Sequence, residues 1–123
     1  MSEKAKKYND LKVWEKSHNL VLEIHRITKD FPKEEVYGLT SQIRRASVSI
    51  PANIAEGFAR SGIRDKIRFY NIAAGSLNEL SYFLLLAKDL NYADTSKLQE
   101  ITEEIAKMLS GYVKALQKTT SNF

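Results

Sequence analysis

Six polar side chains recur at helical spacing in the middle of the chain: Gln42, Arg45, Ser49, Asn53, Glu56 and Arg60. They lie about 100° round from an apolar stripe of Leu39, Ile43, Ala46, Ile50 and Ile54, at its edge rather than opposite it. A face that served only for solubility would be rich in Lys and Glu. Amides, guanidiniums, a hydroxyl and a carboxylate instead suit a hydrogen-bonded network. The spacing predicts a structural or interface network of Gln42, Arg45, Ser49, Asn53 and Glu56, with the helix edge buried against a neighbouring subunit. The simpler alternative is a kinked core helix with a solvated side, the kink coming from Pro51. Glu56 faces no visible nucleophile or electrophile, so a general-base role has nothing to act on. Its pairing with Arg60 at i,i+4 is worth about 0.3–0.5 kcal/mol if exposed.

The second candidate set is basic. Residues 40–70 hold six basic side chains against two acidic ones, a net +4, while residues 71–123 hold five against six, a net −1. Phosphate contact is the chemistry that such a bias suits, with affinity set by charge and little sequence readout. Arg44, Arg60, Arg64, Lys66 and Arg68 are the expected nucleic-acid contacts. Arg60, Arg64 and Arg68 are spaced by four around a helix junction, and Arg44, away from the polar stripe, is expected to be exposed. Tyr8, Tyr70 and Tyr92 could stack on bases, although tyrosines at helical spacing more often pack in a core. A plain solvated face is the alternative.

Other chemistries find no support. Glu15 and His18 form one Glu-x-x-His pair, but a di-iron bundle needs a second pair on another helix, and the only other histidine, His25, shares the helix with His18. Phosphate-loop, H-E-x-x-H and G-x-S-x-G motifs are missing. The chain has no cysteine, which removes disulfides, thiolate metal sites and a cysteine nucleophile. No enzyme activity, metal or cofactor is expected. No apolar run is long enough to span a membrane and the start lacks a signal-peptide core, so the expectation is a soluble cytoplasmic protein without membrane contact.

The elements that would position these residues are four helices. Residues 1–9 read as a flexible basic tail. Asn9 or Asp10 is a plausible N-cap for a first helix running to about Phe31, where Pro32 ends it. A connector over 32–38 precedes a second helix from about Leu39 to Arg60. Ser61-Gly62 breaks the chain, and a third helix runs from about Arg64 to Leu90. Its apolar positions are too many for one buried face, which suggests a second face for a partner, and Gly75-Ser76 suggests a close helix approach. Ser96 with Gln99 is a possible capping box for a fourth helix, and residues 119–123 are expected to fray. Four long helices with short connections over residues 10–118 predict an all-α, antiparallel up-down-up-down four-helix bundle.

The run FPKEEVYGLTSQIRRASVSIPANIAEG, Phe31 to Gly57, resembles the signature of four-helix bundle proteins encoded in intervening sequences of bacterial 23S ribosomal RNA genes. LKVWEKSHNL and RFYNIAAGSLNEL are also similar, so the resemblance spans about residues 10–118. It implies a four-helix bundle that assembles into a homopentameric ring, with no established catalytic residues. The accessory protein of diversity-generating retroelements resembles the same group and binds a reverse transcriptase and nucleic acid through a basic surface. Ser81 stands where the family often has glutamate, so no acidic contact is carried over there. The expected function is a non-enzymatic, oligomeric bundle that binds RNA or DNA through its basic surface. The alternative is a protein-interaction scaffold.

Overall fold

The computed structural model describes residues 5–121, with side chains to Thr119. The described residues form four α-helices: α1 (Lys12–Thr28), α2 (Leu39–Ala59), α3 (Ile63–Asp89) and α4 (Ser96–Ser121). Short 3-10 turns at Tyr8–Asp10 and Lys33–Glu35 precede α1 and α2. Consecutive helices pack against each other and α1 also meets α4, which closes an antiparallel up-down-up-down bundle. The expected tail falls partly on residues 1–4 and the expected frayed end partly on 122–123, outside the described residues. Within the described part, Tyr8–Asp10 is a turn and α4 continues through Ser121.

The core follows the apolar periodicity. Leu20 and Ile24 of α1, Ile43, Ala46, Ile50 and Ile54 of α2, Leu77, Leu80 and Leu84 of α3, and Ile105 and Leu109 of α4 are buried. Pro51 sits inside α2 and is buried as well. At Gly57, α2 packs tightly on α3: a Cβ there would lie 2.6 Å from Tyr70 Cε1. Gly75 does not serve a close approach to another described element, since apart from its own helical turn nothing among the described residues lies within 4 Å of where its Cβ would be. Its neighbour Ser76 is the buried one.

Three helix ends differ from expectation. Asp10 does not cap α1. Its carboxylate accepts the backbone N–H groups of Lys6 and Lys7 at 3.0 and 3.1 Å, which tightens the turn in front of the helix. α1 ends at Thr28, three residues before Phe31, with the Thr28 hydroxyl donating to the Ile24 carbonyl. At the start of α4, Ser96 is already helical. Asp94 Oδ1 accepts its N–H at 3.1 Å, so the acceptor stands two residues earlier than a Ser96 cap would place it. α3 ends in a Schellman arrangement: Tyr92 N–H reaches the Ala87 carbonyl and Asn91 N–H the Lys88 carbonyl. Asn91 takes the left-handed conformation that this requires, with φ 63°.

Candidate nucleic-acid interface

The α2–α3 junction brings four of the five predicted basic residues together. Arg60, the C-cap of α2, donates to Glu56 Oε2 at 2.6 Å. Its Nε lies 3.7 Å from Asp65 Oδ2, too far for a hydrogen bond. Arg68 grips Asp65 Oδ1 with Nε and Nη2 at 3.1 and 3.0 Å. Both guanidiniums lie over the Phe69 ring, at 4.8 Å for Arg60 and 4.4 Å for Arg68, a favourable contact for a planar cation.

Lys66 has another task. Its Nζ donates to the carbonyls of Phe58 and Gly57 at 2.8 and 3.3 Å, satisfying the end of α2. Burial pushes its ammonium pKa down. Arg64 is exposed and makes no hydrogen bond or ion pair among the described residues. Arg44 lies elsewhere, sixteen residues or about 24 Å back along α2. It is half-buried rather than exposed, with Nε donating to Thr28 Oγ1 at 2.8 Å.

The junction is one part of a larger basic end. When each helix is divided at its midpoint, the half containing the α2–α3 connection comprises residues 5–19, 50–75 and 109–121. That half holds ten Lys and Arg against four Asp and Glu, a net +6. The other half of the described chain holds eight against ten, a net −2. Lys6, Lys7, Lys12 and Lys114, which the sequence-based set omitted, belong to the basic half. The signal was available once antiparallel topology was assumed, because the topology sets the start of α1 and the end of α4 beside the α2–α3 connection.

The polar stripe forms two separate clusters of hydrogen bonds within the chain, and Glu56 joins neither, pairing with Arg60 instead. Arg45 donates to Gln42 Oε1 at 2.9 Å and to Glu79 Oε2 on α3 at 2.7 Å. The Ser76 hydroxyl donates to Ser49 Oγ at 2.8 Å, and Asn53 donates to both the carbonyl and the hydroxyl of Ser49. The stripe therefore ties α2 to α3, while Gln42, Arg45 and Glu56 keep an exposed side.

The three tyrosines separate by environment. Tyr70 is buried and stacked on Tyr112 with centroids 5.2 Å apart, and its hydroxyl has no hydrogen-bond partner within bonding distance among the described residues. Tyr92 donates to Glu35 Oε2 at 2.8 Å. Only Tyr8 is exposed. It meets Trp14 edge-on at 5.0 Å, and Trp14 stacks on His18 at 5.0 Å. These rings border an open apolar groove of about 350 Å³ between α1 and α2. The sequence-based set missed Trp14 and His18, since their i,i+4 spacing is also that of ordinary packing. Among the described residues, no three His, Asp or Glu side chains are grouped to hold a metal ion, and no helix is long and apolar enough to cross a membrane.

Comparison with solved structures finds a similar chain in the crystal structure of a protein of unknown function from the S23 ribosomal protein family of Bacteroides thetaiotaomicron VPI-5482. It is 28% identical, with a TM-score of 0.77, and the match covers 83% of this chain and 98% of that one. No curated protein matches. A family model described as 23S rRNA-intervening sequence protein matches residues 9–111. Spanning all of α1 to α3 and much of α4, that match means that the chain belongs to the 23S rRNA-intervening sequence protein family.

Proposed function

We propose that the protein is a non-enzymatic RNA-binding bundle, working as a homo-oligomer in the cytoplasm, that holds RNA by charge at its basic end. The observation that carries this reading is the net +6 on one half of the bundle against −2 on the other. Such an asymmetry steers and orients a polyanion without reading its sequence. Arg64 is the foremost contact, because its guanidinium is uncommitted. Arg60 and Arg68 add donors already held in place by Glu56, Asp65 and Phe69. Lys66 contributes to the field and holds the end of α2. Tyr8, beside the groove, offers a ring on which an unpaired base can stack.

The test is binding of a structured RNA across a salt series, with Arg64→Ala and the triple variant Arg60→Ala/Arg64→Ala/Arg68→Ala alongside. The wild type is expected to lose affinity with a log–log slope of several units, at about 0.7–0.9 per neutralised phosphate. Arg64→Ala should flatten the slope by about one phosphate's share and the triple variant by more. Absence of binding at low salt by folded protein would overturn the reading and leave the scaffold alternative, in which a protein partner is retained at high salt through apolar contacts.

A further inference from the structure

We propose that the cavity between the end of α1 and the start of α2 is a binding site for a phosphate monoester, with Arg44, Lys29 and Lys33 as its cationic wall. The cavity measures about 360 Å³, within the range of small-molecule sites. It lies at the end of the bundle opposite Arg60, Arg64 and Arg68, so it is separate from the proposed RNA surface.

Arg44 is the central observation. Arg26, Arg45, Arg60 and Arg68 each pair with a carboxylate, and Arg64 is exposed. Among the described arginines, Arg44 alone is drawn partly out of water without a counter-ion. Its described partners are both neutral: Thr28 Oγ1 at 2.8 Å and the His25 carbonyl at 3.5 Å. Withdrawing a guanidinium from water is unfavourable unless a charge compensates it. Two of its five N–H donors are turned to these oxygens, which leaves others for a ligand.

The surroundings point to the same chemistry. Lys29 and Lys33 also line the cavity and make no ion pair among the described residues. Among the described residues, no carboxylate lines it. Glu35 is close in sequence but occupied elsewhere, accepting from Leu39 N–H at 2.9 Å and Tyr92 Oη at 2.8 Å. Three cations without an ion pair among the described residues thus line one cavity in the half of the molecule whose net charge is −2. Two or more cations around one guanidinium suit a dianionic phosphate monoester, which a guanidinium can bind bidentately. Phe31, Pro32 and Val36 supply an apolar wall, and Val36 is 53% exposed. That wall would take a ring, so the ligand class is a nucleoside monophosphate or the 5′-phosphorylated end of a nucleic-acid strand.

The experiment titrates the full chain with AMP, adenosine and inorganic phosphate, followed by calorimetry or amide NMR shifts. A short RNA is compared with a 5′-phosphate and with a 5′-hydroxyl. Lys29→Ala/Lys33→Ala leaves the buried contacts intact, and Arg44→Lys keeps the charge but loses the bidentate fork. AMP is expected to bind at least about tenfold more tightly than adenosine, and both variants to weaken AMP by about tenfold or more. The triple arginine variant of the basic end should bind AMP normally, which separates this site from the RNA surface. A preference for the 5′-phosphorylated strand would name a strand end as the source; AMP binding without it would name free nucleotide. Equal affinity for AMP and adenosine, no AMP binding to folded protein, or no loss in Lys29→Ala/Lys33→Ala would overturn the proposal.

Discussion

At the scale of single residues, the α2–α3 contact rests on a missing side chain. Gly57 lies against the ring of Tyr70, and a Cβ at 2.6 Å from a ring carbon of a fully buried tyrosine has nowhere to go. Gly57→Ala is therefore expected to lower stability by about 1–3 kcal/mol through overpacking, despite the better helix propensity of alanine. Gly75→Ala is the internal control. Its site is exposed with open space around the would-be Cβ, so the propensity gain of about 0.8–1 kcal/mol should appear in full. Urea denaturation of both variants, followed by circular dichroism, checks the pair. A Gly57→Ala midpoint at or above wild type would mean that the two helices can part at no cost. Both glycines stand in a helical stretch of the sequence, and only the packing distinguishes them.

At the scale of elements, three carboxylates hold backbone N–H groups at the edges of the helices, and each has a pKa below its ordinary value. Asp10 is lowered by the N–H groups of Lys6 and Lys7. Glu35 is lowered first by Leu39 N–H and then by the Tyr92 hydroxyl. Asp94 is lowered by the hydroxyl and N–H of Ser96. A folded pKa below the unfolded one means that the unfolded chain takes up protons first as pH falls. The stabilisation is thus complete above the ordinary values of 4.5 for Glu35 and 3.8 for Asp10 and Asp94, and is lost below them. Stability against urea is expected to stay level from pH 7 to about 5 and to decline below about 4.5, less steeply in Glu35→Gln. An equally steep decline in that variant would assign the acid sensitivity to other groups. Apolar periodicity alone was enough to locate all four helices, because burial repeats every three or four residues over many turns. Helix ends were less legible. Asp10 and Asp94 are turn residues whose N–H partners depend on local dihedrals, and Thr28 ends α1 before Phe31 because the chain turns to bury that ring.

At the scale of the whole molecule, the candidate site was legible as a charge bias and illegible as a set of pairings. Arg60, Arg64, Lys66 and Arg68 do come together, yet Asp65 and Glu56 take up two of them and the end of α2 a third. Arg44, grouped with them by sequence proximity to the bias, stands at the other end because α2 is long. The polar stripe was legible as a row of hydrogen-bonding groups, whereas its division into two clusters, closing onto Glu79 and Ser76 of α3, needed the fold. What a single chain leaves exposed bears on assembly. Ile72, Tyr82, Leu85 and Leu90 of the α3 region are each more than two-fifths exposed, a surface that a ring of subunits would cover. If the protein forms a pentamer, five chains of 14.0 kDa give a particle of about 70 kDa, and light scattering on a gel-filtration peak would read that mass directly. Ile72→Asp places a charge on the exposed flank without touching the buried core, so it should shift the mass toward one chain while leaving the helical circular dichroism unchanged. RNA binding should weaken in the same variant, because a ring presents several basic ends to one polyanion and a single bundle presents one. A wild-type mass of 14.0 kDa at tens of micromolar would remove the ring, and the +6 end would then have to hold RNA one bundle at a time.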